Sequence, residues 1–419
     1  RRPLLRISQI IAAVLVCYAG WAVWQPDDAL QPSLQPAAAA APPSPGSIAL
    51  AGLEAPSGTD FMEHGRLMLA AIGAGEDWVS ASKRINNGKP GLEFKYRGNI
   101  ECWFSTKHDE LPAALRADCA SPAQAQACVE ENAEMLRRYR AAHLLPVSAD
   151  GAMFKGQAGI MMSKANVVDI GIDVHAGRAE QAWGKWRDSW VHQSRMAGYG
   201  GLWSMTAINL VNEGLSLDGL ALLLDEAPQL METHHDELLA LLIPGDLSRY
   251  NLAGVMRTEN EYLNQLSKDS GWRRIVRVNR MRNRFEAYAR DFIEATSQPP
   301  PTLLSAIANV RARHAAVRAS DAFDPVNAFI WQKAMDDFGW MPRELLGSMV
   351  TKEAQRRLFT LKLMMARAKV PDSGVEEYLR RAPANLQSPD KSKPFEWDAT
   401  RRALLYRVMV GAHVARVYL

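Results

Sequence analysis

The sequence predicts a mainly α-helical protein: an N-terminal transmembrane helix, a Pro/Ala-rich linker, then a multi-helical exported region with one small β-hairpin. Three observations predict this. An uncharged, mostly apolar run fills Ile7 to Trp24 behind a basic amino end. Prolines and alanines then dominate to about Gly58, with almost no large apolar residues. From roughly Ala176 onward, apolar residues recur at helical spacing in segment after segment, with glycine and proline between them.

Residues 1–25 read as a membrane anchor with a cytoplasmic N-terminus. The eighteen residues Ile7 to Trp24, at about 1.5 Å each, cover roughly 27 Å, enough to cross a hydrocarbon core. Arg1, Arg2 and Arg6 flank them, and positive charge marks the cytoplasmic side. In a bacterial inner membrane this single pass through the bilayer, by residues 7–24, sends the bulk of the chain into the periplasm. Trp21 and Trp24 suit the interfacial belt. A cleaved signal peptide is the competing reading. Gly20-Trp21-Ala22 has the form of a small-x-small site, but Val23 and Trp24 continue the apolar run beyond it.

Residues 26–58 read as a disordered linker. Pro26, Pro32, Pro36, Pro42, Pro43 and Pro45, with Ala37 to Ala41 among them, offer too little apolar surface to fold and favour extended polyproline conformations. At about 3.1 Å per residue such a tether reaches up to roughly 100 Å.

Residues 59–150 read as a small helical domain with a hairpin and a disulfide. Asp60 and Glu63 form a capping pair before Leu67, Leu69 and Ile72. Leu92, Phe94 and Tyr96 alternate with charged residues, Arg97-Gly98-Asn99 turns, and Ile100, Cys102 and Phe104 alternate back, which is the hairpin. Ser121-Pro122 with Gln124 then opens a further helix. In an oxidising compartment Cys119 and Cys128, enclosing a short loop, are the favoured disulfide. Pairing of Cys102 with either is the alternative. The spacing matches no zinc pattern.

Residues 151–419 read as a helical array: Gln181–Met196, Ser204–Asn212, Ser216–Leu224, Met231–Leu242, Leu252–Leu266, Trp272–Thr296, Thr302–Ala319, Pro325–Phe338 and Lys352–Lys369. Short connections imply antiparallel neighbours. The C-terminal stretch changes character at Pro383, Pro389 and Pro394, and 393–398 reads as a short extended piece. With Ser388-Pro389-Asp390 before Lys393-Pro394-Phe395, it resembles the end of a pseudopilin domain over about thirty residues. The processing site and glutamate that open such proteins are absent from the anchor, so nothing is carried over.

Four constellations bear on function. Trp183, Trp186 and Trp190 share one helical face, a row able to stack on sugar rings or clamp a polypeptide, or to form a core seam. Arg273, Arg277, Arg280 and Arg284 line a narrow face beside an apolar stripe of Val278, Met281, Phe285, Tyr288 and Phe292, which suits an anionic partner. His234 and His235 are adjacent, so they diverge on a helix and do not form a metal site. Glu213, after the tryptophans and before Gly214, is the first candidate for a catalytic acid of the wall-cleaving kind. No nucleophile elbow or phosphate loop is present, and no metal or cofactor is expected. The near-balanced net charge of +3 gives no reason to expect nucleic acid.

These features lead to a binding or assembly protein, scaffold or chaperone-like, held to the inner membrane and holding an envelope protein or anionic envelope component without catalytic chemistry. A helical cell-wall hydrolase or lyase, and a structural subunit of an envelope machine, are the alternatives. The layout of anchor, Ala/Pro tether and helices resembles that of the membrane-tethered lipase foldases. Their Arg-x-x-Phe-Asp-Tyr motif has no match here, and their activity is not implied.

Overall fold

The computed structural model describes residues 121–133, 136–137, 139–140, 156–197, 203–245, 247–269, 278–298, 300–316, 325–389, 393–407 and 414–419. The expected anchor, linker and hairpin, with Cys102 and Cys119, lie outside the described residues. The described part is mainly helical, with eleven α-helices and one small antiparallel sheet. It divides into two compact units: Met256–Arg343, and the remainder up to Val255 together with Glu344–Leu419.

The larger unit is built on three mutually packed helices, α2 (Gly156–His175), α3 (Ala179–Ala197) and α4 (Trp203–Glu226), with α1 (Pro122–Glu131) against α2. α1 starts at the expected capping box. Ser121 Oγ accepts from Gln124 N at 3.2 Å, Gln124 Oε1 accepts from Ser121 N at 2.7 Å, and Pro122 fills the first position. α2, earlier than the first helix expected in the array, ends in a Schellman turn. Gly177 adopts φ 73°, its N–H donates to Val174 O, and Arg178 N donates to Asp173 O. That three-residue link folds α3 back along α2.

α4 is continuous where a break was expected at Glu213 to Leu215. Gly214 lies inside the helix, and a Cβ there would lie 2.5 Å from Lys352 Nζ. Thr206–Glu226 is the one segment among the described residues long and apolar enough to cross a membrane, and 67% of its most apolar window is buried inside the protein. Apolar all round, it has the pattern of a core helix. Two short helices, α5 (Gln229–Thr233) and α6 (His235–Leu241), follow in place of one, then a 3-10 turn, Leu247–Tyr250, and α7 (Leu252–Asp269).

In the smaller unit α8 (Val278–Thr296) packs on α9 (Pro300–Ala316). Phe285, Tyr288, Ala289 and Phe292 are the buried stripe of α8, and Leu303, Ile307 and Val310 are buried on α9. α10 (Pro325–Arg367) is unbroken over 43 residues, where two helices were expected. Its C-terminal portion from Leu345 carries Leu346, Met349, Val350, Leu358 and Phe359 into the core of the larger unit. It stops at Lys369, in the left-handed region at φ 52°, two residues before Pro371.

The β-structure lies at the C-terminus. After α11 (Val375–Arg380), strands β1 (Glu396–Asp398), β2 (Ala403–Arg407) and β3 (Val414–Tyr418) form an antiparallel meander, with Leu404 opposite both Trp397 and Val417. The sequence reading caught β1 as an extended piece and missed β2. Ala403, Leu404, Leu405 and Tyr406 are all buried, so the strand lacks the period-2 alternation of a half-exposed one.

Candidate functional site

The tryptophan row is internal to the larger unit. Trp183, Trp186 and Trp190 are 3%, 0% and 1% exposed. Their rings follow one another along α3, with Trp183 and Trp186 centroids 5.0 Å apart and Trp186 and Trp190 5.9 Å apart and near-parallel. Trp186 Nε1 donates to Ser216 O on α4 and Trp190 Nε1 to Leu241 O on α6, each at 2.8 Å. Trp186 and Trp190 thus bury their apolar bodies while each satisfies its one donor on a neighbouring backbone. The row is a seam joining α3 to α4 and α6.

Glu213 lies at the centre of a buried ionic cluster. Its side chain has no exposed surface. It accepts from Arg249 Nη2 of the 3-10 turn and from Tyr250 OH, the latter at 3.3 Å, and Arg356 Nη1 of α10 is 3.6 Å away. Arg356 also lies over the Trp190 ring, 5.0 Å from its centroid. A second carboxylate, Glu353, one helical turn before Arg357, is equally buried. Its Oε1 accepts from Gly245 N at 2.9 Å and Arg357 Nε at 3.0 Å, and its Oε2 is 3.4 Å from Arg249 Nε.

This cluster fixes a stretch of backbone that has no regular structure of its own. Residues 243–245 connect α6 to the 3-10 turn, and α10 side chains take up their polar groups. Arg356 donates to Ile243 O at 3.0 Å and Arg357 to Gly245 O at 2.6 Å. Arg357 reaches further to Gln387 O at 2.6 Å. Side chains of one helix thereby partner backbone groups that no regular element pairs.

The electrostatics follow from that burial. Loss of water pushes the Glu353 carboxyl up to about 7, against the pull of Arg249 and Arg357. Burial works against charge on Arg249, but Tyr250, Glu213 and Glu353 outweigh it and hold the guanidinium firmly protonated. Tyr250 is raised well above its ordinary value, by burial first, with Arg249 opposing. Elsewhere on α4, burial lifts Asp218 to about 6, partly offset by Lys352.

A second ionic group braces α2. Lys185 of α3 lies 2.6 Å from both Asp169 and Asp173, Arg140 also pairs with Asp169, and Arg178 pairs with Asp173 at 2.7 Å. Burial raises Asp169, yet Lys185 and Arg140 more than compensate and hold it below its ordinary value.

The other sequence candidates are dispersed. Arg280 and Arg284 are half-buried on α8, while Arg273 and Arg277 lie outside the described residues. His234 and His235 fall at the start of α6. Cys128 is buried in α1 against Ala125 and Val168, and its sulfur accepts from Asn132 Nδ2 at 3.8 Å. The favoured Cys119–Cys128 bridge therefore has one end in the structure, and no disulfide occurs among the described residues. Nor does any cluster of three metal-ligating side chains. Sequence reasoning singled out Glu213 but missed Arg249, Glu353, Arg356 and Arg357. The usable signal was Glu353 and Arg357 at i,i+4, set among apolar residues on a core helix.

No family model, curated protein or solved structure matches the chain.

Proposed function

We propose that this chain is a single-pass protein of the bacterial inner membrane whose bulk stands in the periplasm. There it holds another envelope protein, or an anionic envelope component, without catalytic chemistry of its own. The observation that carries the reading is the fate of Glu213. A wall-cleaving acid must meet substrate in a cleft, and this carboxylate is fully buried against Arg249 and Arg356. The apolar run Ile7 to Trp24 behind Arg1, Arg2 and Arg6 supports the location. The arginine face of Arg273, Arg277, Arg280 and Arg284 supports an anionic partner surface.

The test is reversible crosslinking of the full chain in intact cells, then purification of what accompanies it. A parallel strain carries all four arginines changed to glutamine. A stoichiometric protein or anionic polymer, depleted in the variant, is the expected result. Release of soluble fragments from purified wall material by the full chain would sink the reading and restore the hydrolase.

A further inference from the structure

His234 occupies a joint in the helical chain. α5 ends on it and α6 begins after it, and its backbone, at φ −113° and ψ 20°, belongs to neither helix. Its N–H nevertheless donates to Leu230 O at 2.9 Å, and its carbonyl accepts from Leu238 N at 2.8 Å. The joint is therefore hydrogen-bonded on both sides, and what distinguishes it is the surroundings of the ring.

One face of the imidazole stacks on Trp183 of α3, with centroids 4.5 Å apart and planes 17° from parallel. Nε2 lies 2.9 Å from Glu180 Oε2 of α3. Nδ1 lies 3.4 Å from Glu237 Oε2 of α6. Both ring nitrogens thus face carboxylate oxygens, from two different helices. A neutral imidazole has one N–H and one lone pair, so in that form one carboxylate confronts a lone pair. The imidazolium carries an N–H on each nitrogen, so it donates to Glu180 and sits within ion-pairing distance of Glu237, with its ring stacked on the indole. The histidine side chain is 19% exposed, so water screens these contacts only in part.

The remaining charged neighbours do not substitute for it. Arg187 of α3 is 3.7 Å from Glu237 Oε1 and 3.2 Å from Asp188, so Glu237 is shared between a histidine and an arginine. Asp236, next in the chain, pairs with Arg367 of α10 at 2.9 Å. Glu232 lies in α5 and His235 opens α6. Among the described residues, Glu180 pairs with His234 and with no other cation.

We propose that His234 is a proton-dependent clamp: as the imidazolium it ties Glu180 of α3 and Glu237 of α6 together across the α5–α6 joint, and on losing that proton to water it releases one of them. The step is acid–base only, with no other bond made or broken. Glu180 also lines an open concavity of about 360 Å³, with Arg178, Gln181, Gln229 and Leu230. Release therefore alters both the firmness of the joint and the charge displayed in that concavity.

Amide hydrogen exchange across residues 229–241 of the full chain tests this, at about pH 5 and about pH 8, corrected for intrinsic rates. The wild type is expected to exchange about two- to five-fold more slowly at the acid end, the range set by partly exposed ion pairs. His234→Gln loses that difference. Glu180→Gln combined with Glu237→Gln, at the exposed ends of the clamp, also loses it while His234 and Trp183 stay in place. Tryptophan emission gives a second reading, since an imidazolium stacked on Trp183 quenches it; acid quenching is expected in the wild type and a smaller change in His234→Gln. Equal acid protection in the wild type and the double glutamine variant overturns the proposal, as does acid quenching undiminished in His234→Gln.

Discussion

Glu213 and Arg249, 36 residues apart in sequence, form an ion pair in which the carboxylate has no exposed surface. Removing one partner of such a pair leaves an uncompensated buried charge, which costs far more than the intact pair contributes. Glu213→Ala is expected to destabilise the fold by about 3–5 kcal/mol, read by urea denaturation. Arg249→Met paired with Glu213→Leu removes both charges and should recover most of that loss. A Glu213→Ala chain as stable as the wild type would disprove the structural role.

The indole seam gives a second expectation. Trp186 is fully buried, with its donor on Ser216 O. Trp186→Ala should cost about 3–5 kcal/mol. Trp186→Phe keeps a ring but leaves Ser216 O without its indole donor, and should cost about 1–3 kcal/mol. Thermal unfolding followed by circular dichroism separates the two.

Stability should depend on pH through Glu353 and Asp218. Burial raises Glu353 from 4.5 to about 7, and Asp218 from 3.8 to about 6. Over those windows the folded state binds more protons than the unfolded chain. The contribution is fully present below the unfolded values and is lost as pH rises through the folded ones. Stability from these two groups therefore falls between pH 3.8 and about 7. Glu353→Gln should flatten the upper part of that fall, measured as denaturation midpoints across pH.

Two glycines separate tolerant from intolerant close approaches. At Gly214 an added Cβ meets Lys352 Nζ at 2.5 Å and Cε at 2.8 Å, the far end of a flexible side chain. Gly214→Ala should be nearly neutral, because the lysine moves aside and alanine gains about 1 kcal/mol of helix propensity. At Gly254 a Cβ meets Asn251 Cγ at 2.7 Å, on a short side chain whose Oδ1 caps α7 by accepting from Gly254 N at 3.1 Å. Gly254→Ala should cost about 1 kcal/mol through the displaced cap. Chemical denaturation of both variants checks the contrast.

Helical periodicity made most of this architecture legible before any coordinates. The capping box at Ser121 and the apolar stripe of α8 at Phe285, Tyr288 and Phe292 were readable residue by residue. What was not readable depended on partners distant in sequence. Gly214 suggests a helix end, and only the packed structure shows it inside α4 with Lys352 lying against it. β2 is buried on both faces, so Leu404 and Leu405 show no strand alternation. Glu213 drew notice as a lone acid, while its identity as half of a charge pair required Arg249 and Arg356, brought from a turn and from a helix more than a hundred residues on.

α4 carries a consequence for the journey a chain makes before it folds. Unfolded, Thr206–Glu226 is apolar enough to be held in a lipid bilayer. Glu213 and Asp218 lie near its middle, and an ionised side chain at that depth opposes insertion by about 3 kcal/mol. If the chain is exported as proposed, these two carboxylates discourage the translocation channel from releasing the segment sideways into lipid. The buried acid that pairs with Arg249 in the folded core would then first help the segment to be threaded through as soluble chain.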